Sequence, residues 1–269
     1  MTDQFEFDLT PLRLKDLPTS ANQLIVSANA VIEDITAKWS KGKLYNGHTP
    51  NKVQMYNTKL YGEPWMARVS YHDASVTPFE WFARGLIGAE QSTTAIGNQP
   101  EGEWVIEDKY AHTRNEMEYI APLANWTPVE ISTLSGYDKA QTTHGKEFLD
   151  QWQCVRVHYD FPGPLAVREF SEYLYIQKPM ADPNTGDLTM FVISLVADLP
   201  VSEPGMVHGV YTSIERVRWI KKDNMVEWKM ATVSDAKGNV PRWIQNATIA
   251  NSVAGDVSSY FNWLDDKKW

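Results

Sequence analysis

The strongest constraint on the fold lies in the C-terminal half, where five runs of strand character precede one long amphipathic segment. The runs cover residues 152–159, 168–177, 188–197, 207–220 and 225–234, rich in β-branched and aromatic side chains. Pro162-Gly163-Pro164, Pro179 to Gly186, Pro200 to Gly205 and Lys222-Asp223-Asn224 separate them with turn chemistry. Such spacing joins neighbours antiparallel in one sheet. In the last run Glu227 and Lys229 alternate with Val226, Trp228, Met230 and Thr232, and the second set is expected to face inward. Over residues 242–264, Ile249, Val253, Val257, Phe261 and Leu264 form one helical stripe with Tyr260 beside it. Asn251, Asp256, Ser259 and Asn262 sit largely elsewhere. The small residues Ala247, Ala250, Ala254 and Gly255 allow close approach to a sheet or leave room for a ligand. A sheet with an apolar face and one long helix to cover it makes an α+β fold.

The N-terminal half supplies more helices and one clear strand. Residues 1–17 read as an extension lying against a domain that spans 18–269. Thr19 or Ser20 can cap a helix in which Leu24, Ile25, Ala28, Val31, Ile32, Ile35 and Trp39 recur with helical spacing, ending at Gly42. A strand over 65–72, a helix from Pro78 to about Leu86 and a further helix over 112–123 follow. Residues 88–102 have the Gln, Thr, Gly and Asn content of a mobile loop, and 133–145 read as a polar connection.

Eleven Trp, twelve Tyr and nine Phe must fill a core or line a cavity. A net charge of −9 without a basic stripe argues against a nucleic-acid partner. The single Cys154 excludes an intrachain disulfide and a cysteine zinc site, which makes the cytosol the expected compartment. Neither a signal peptide nor an apolar run of about 18 residues is visible.

Particular residues carry a family resemblance. Pro164-Leu165-Ala166-Val167-Arg168-Glu169-Phe170, Ser213-Ile214-Glu215-Arg216 and Asp235-Ala236-Lys237-Gly238-Asn239-Val240-Pro241-Arg242-Trp243 resemble three signature segments of START lipid-transfer domains. Trp65-Met66-Ala67-Arg68-Val69-Ser70-Tyr71-His72, then Phe79-Glu80-Trp81-Phe82 and His112 with Glu116, Tyr119 and Ile120, resemble fungal START-like proteins of unassigned function. The resemblance runs over about residues 60–264. It implies a helix-grip fold, in which a curved antiparallel sheet wraps the C-terminal helix around an apolar cavity, and a lipid ligand gated by that helix. Residues 88–102 would be the helix's partner in that gate.

Arg68, Ser70 and His72 share one strand face, and near a cavity Arg68 and His72 could orient a polar head group. An ion pair of Arg68 with Glu116, Glu118 or Glu215 at a sheet edge would serve structure instead. Arg168 and Arg216, if buried, need a carboxylate or an anionic ligand. Trp228 and Met230 are expected in the cavity wall, Ile249, Val253, Val257 and Phe261 in the helix above it, and Tyr119 beside it. His112 and Glu116 lie four apart, but without a third ligand they do not make a metal site. No cofactor motif, GxSxG or P-loop is present. The expected function is binding and intermembrane transfer of a sterol, phospholipid or similar lipophile, with transient membrane contact. The alternative is a cyclase-like acid–base catalyst using His72 with Glu116 or Tyr119. A third possibility is an interaction module with a filled core.

Overall fold

The computed structural model describes residues 4–47, 50–93, 102–160, 166–237 and 242–267, with backbone alone over 242–248. The Ser20 side chain accepts a hydrogen bond from the Gln23 amide and starts α1 (Ala21–Lys38), satisfying a donor the helix leaves unpaired. The chain continues through β1 (Ser40–Asn46), β2 (Lys52–Leu60), β3 (Glu63–Asp73) and α2 (Phe79–Ile87). A small hairpin, β4 (Ala89–Gln91) and β5 (Trp104–Ile106), leads to α3 (Ala111–Tyr119), β6 (Leu123–Val129), α4 (Tyr137–His144) and α5 (Lys146–Leu149). Strands β7 (Trp152–Tyr159), β8 (Arg168–Ala181), β9 (Leu188–Val196), β10 (Val207–Ile220) and β11 (Met225–Asp235) precede α6 (Arg242–Lys267).

Nine strands form one sheet in the order β1-β2-β3-β11-β10-β9-β8-β7-β6, and every neighbouring pair is antiparallel. At its curled centre β10 also meets β8 in parallel, at Val207 to Gly209 against Arg168 to Phe170. Gly209 permits this approach, since a Cβ there would collide with the Phe170 ring. The concave face packs under α2 and α6, with Phe82, Val217, Val226, Trp228, Val257, Tyr260 and Phe261 in its core.

The convex face is buried too. There α1 and the N-terminal segment lie across the strands, with Phe7, Leu14, Leu17, Leu24 and Ile32 packed in one core with Trp65, Ile193 and Ile214. This changes the reading of β11. Glu227 and Lys229 point away from Trp228 as the alternation requires, but they are 7% and 2% exposed. Arg216 explains how they are tolerated: it bridges Glu227 and, on α1, Glu33, each at 2.6 Å, and Lys229 lies 3.2 Å from Glu227. A buried charge persists when paired and hydrogen-bonded.

Several elements differ from expectation. The first helix stops at Lys38 rather than Gly42, because Ser40 to Asn46 pair with β2 as an exposed edge strand. With β1 and β2 outside it, β3 is interior to the sheet. Helix α3 ends at Tyr119, three residues before Pro122, whose ring disfavours helix in the residue preceding it. Residues 137–144 are helical although Ala140 alone among them is buried, so they show no apolar stripe. Residues 94–101 of the expected mobile loop lie outside the described residues, as do Pro162-Gly163-Pro164-Leu165, Gly238 to Pro241 and the Trp243 side chain.

Candidate functional site

Between the concave face and α6 lies a cavity of about 360 Å³. Strand register places its wall. Arg68 on β3 faces Met230 on β11, which faces Glu215 on β10, which faces Val192 on β9. Further along, Ser194 faces Leu174, and Glu172 and Phe170 follow on the same face of β8. Val155, Val157 and Tyr159 of β7 continue the wall. Helix α3 contributes His112, Thr113, Glu116 and Tyr119, and α6 covers the cavity with Ile249, Ser252, Val253, Gly255, Asp256 and Ser259.

Three side-chain contacts fasten the C-terminal turns of the roof. Tyr260 Oη donates to the Trp81 carbonyl at 2.8 Å, Trp263 Nε1 donates to Glu118 at 2.9 Å, and Lys267 pairs with Glu118 at 2.6 Å. Tyr260 lies so close to α2 that a Cβ on Gly85 would overlap its hydroxyl. From Val257 onward helix α6 seats on α2 and α3; before that Tyr45 Oη donates to Asn251 at 2.8 Å, and Ile249, Ser252, Val253 and Asp256 border the void. Gly255 borders that void, with nothing within 4 Å of where its Cβ would be.

Of the residues singled out from sequence, Arg68, Tyr119, Trp228, Met230, Ile249 and Val253 border the cavity. His72, Arg168, Val257 and Phe261 do not. His72 faces Val226, four residues along the ladder from Met230, where the helix rests on the sheet. Its ring lies 4.9 Å from that of Phe261 and 5.3 Å from that of Phe82, and Nε2 is 2.9 Å from Ser70 Oγ. Val257 and Phe261 fill that same packed end. Arg168 opens β8 beyond the cavity, and its Nη1 donates to the Ala166 carbonyl. Arg216 lies on the convex face.

Arg68 is held by Glu215, whose Oε1 accepts from Arg68 Nη2 at 2.7 Å and from Trp228 Nε1 at 2.7 Å. The guanidinium lies 4.1 Å from the centre of the Trp228 ring, a cation–π contact. This pair sits within the sheet rather than at its edge. His112 Nδ1 donates to the Leu86 carbonyl at 2.8 Å, tying α3 to α2, and Nε2 is 3.4 Å from Glu116.

Glu172 was not among the residues singled out from sequence, and Asp256 and Ser259, expected away from the covered stripe of α6, border the cavity. Burial pushes the Glu172 carboxyl up to about 8, helped by Glu116 and opposed by a hydrogen bond from Ser194. Burial raises Asp256 to about 7 against the pull of Arg68, and raises Glu116 above the usual carboxylate range against that of His112. The signals were present. Glu172 alternates with Phe170 and Leu174, and Asp256 is three residues beyond Val253 and four before Tyr260, on the covered side of the helix.

Residues 65–264 match a family described as a protein of unknown function, DUF3074. The chain belongs to this family. A comparison with curated proteins finds no match in sequence. Among solved structures, human StAR-related lipid transfer protein 5 superposes with a TM-score of 0.55 at 9% identity, covering 93% of this chain and 100% of that one. Human STARD10 gives 0.54 at 8% identity over 90% of this chain and 82% of that one. A STAR-related lipid transfer protein fragment from Xanthomonas axonopodis gives 0.51 at 13% identity, covering 84% and 98%. The DUF3074 chain thus has the START helix-grip fold, an α+β sheet around a C-terminal helix.

Proposed function

We propose that this DUF3074 protein binds a lipophilic ligand between sheet and α6 and carries it between membranes. The observation that supports this best is the void itself: about 360 Å³ lies under a helix that is otherwise packed onto the sheet and α2. A cavity of that size, with alkyl and aromatic walls and polar groups set among them, suits a lipophile with a polar end. A sterol, a phospholipid or a similar lipophile is the class of ligand proposed. Apolar burial of about 25 cal/mol per Å² would retain the ligand. Release would follow from lifting α6 at a membrane surface, a transient contact made from the cytosol. Among the described residues no helix is long and apolar enough to cross a membrane.

One observation favours a second reading, an acid–base catalyst on the same scaffold: Glu172 and Asp256 hold protons near neutral pH inside the cavity. Native mass spectrometry of protein purified from its own cells, with the released ligand identified, separates the two. A carrier retains one lipophile and returns it unchanged after incubation. Conversion of that molecule during incubation favours the catalyst, and protein that neither carries nor takes up lipid contradicts both.

A further inference from the structure

The polar groups of the cavity are out of balance. Glu116, Glu172, Glu215 and Asp256 reach it from α3, β8, β10 and α6, and Arg68 is the one arginine or lysine among the described residues bordering it. Arg68 already spends Nη2 on Glu215. His112 lies 3.4 Å from Glu116, and among the described residues neither Glu172 nor Asp256 has a basic side chain within ion-pair distance, Arg68 acting on Asp256 only from further off. A carboxylate without a cationic partner is costly where water is scarce, and burial at this site favours the protonated form of Glu172 and Asp256. A ligand cation would supply what these groups lack and let them ionise.

A second observation concerns donors. Arg68 is 3% exposed and Thr113 1% exposed, and both border the cavity. Arg68 Nε and Nη1 and the Thr113 hydroxyl find no hydrogen-bonding partner among the described residues. Buried polar groups in folded proteins are nearly always paired. Free N–H groups on a guanidinium call for an acceptor oxygen, and a hydroxyl can accept there while donating to a carboxylate. Val155, Val157, Leu174, Val192, Ile249 and Val253 line the same space with alkyl surface.

We infer that the cavity selects a lipophile whose polar end carries a protonatable amine beside a hydroxyl, a long-chain amino alcohol. The inference rests on the proposed ligand-carrying function and narrows it to one head-group chemistry. An anionic head group would add a further negative charge to four carboxyls served by one guanidinium. A plain alcohol would satisfy Arg68 and leave Glu172 and Asp256 as they are.

Three probes with the same twelve-carbon chain test this by calorimetry on the delipidated full chain: 2-aminododecan-1-ol, dodecan-1-ol and dodecanoate. The amino alcohol is expected to bind about tenfold or more tighter than the alcohol, with dodecanoate weakest. The Glu172→Gln/Asp256→Asn variant is expected to lose that advantage, so that the ratio of its affinities for the amino alcohol and dodecan-1-ol falls to about one. Equal affinity for all three probes, or tighter binding of dodecanoate, by the unaltered protein overturns the inference and leaves the carrier function standing. Binding of none of the three also overturns the inference, while the carrier function is decided separately by native mass spectrometry of the protein from its own cells.

Discussion

Glu172 stands on β8 between Phe170 and Leu174, all three facing the cavity, and it is 7% exposed. Its carboxyl rises from an ordinary 4.5 to about 8, so the folded protein keeps a proton that the unfolded chain has released across that window. Because the native state binds more protons there, this group's contribution to stability falls as pH rises from about 4.5 to about 8. Glu172→Gln keeps the shape and cannot ionise. Thermal unfolding is expected to show the variant gaining on the unaltered protein as pH is raised from about 5 to about 8, with Ser194 and Glu116 as the groups that tune the effect. A Tm difference independent of pH would mean that Glu172 ionises freely in the folded state. The apolar periodicity of the sequence points directly to Trp228, Met230, Ile249 and Val253. Glu172 and Asp256 were obscured because a lone carboxyl in a periodic pattern reads as the solvent face until a second layer is known to cover it.

At the scale of elements, legibility followed burial. Strands β7 to β11, buried on both faces, read as runs of β-branched and aromatic residues, and helices α1 and α6 carry stripes where they meet a core. Strand β1 is almost wholly exposed, and β6 includes Pro128 with only Leu123 buried, so neither shows a pattern. Missing β1 and β2 made β3 look like an edge, and with it the Arg68–Glu215 pair. The junction of α2 with α6 was equally hidden, since nothing local marks Gly85 as the seat of Tyr260. Gly85→Ala would drive a methyl group against the Tyr260 hydroxyl. The variant is expected to lose about 1–3 kcal/mol of stability and to show faster amide exchange in the C-terminal turns of α6. Unchanged exchange there would show that Tyr260 does not fasten the helix.

For the whole molecule, the decisive arrangement is one sheet with two unlike faces. The convex face is filled and sealed by α1 through apolar packing and the Arg216 ion pairs, giving a firm support. The concave face is filled only where α6 meets α2, and the space under its preceding turns holds carboxyls, tyrosines and alkyl groups around a void. Sequence predicts the helix over the sheet. It does not predict the void, because a filled core and a lined cavity draw on the same residue types. The most direct test is to fill that void. Val253 is 7% exposed and borders it from α6, and Met230 borders it from β11. Val253→Trp and, separately, Met230→Trp should occupy the space with indole while leaving a folded protein, judged by circular dichroism. Native mass spectrometry is expected to find a bound lipophile on the unaltered protein and little or none on either folded variant. Retention of the same ligand at the same occupancy by both filled variants would place the binding site elsewhere and contradict this account.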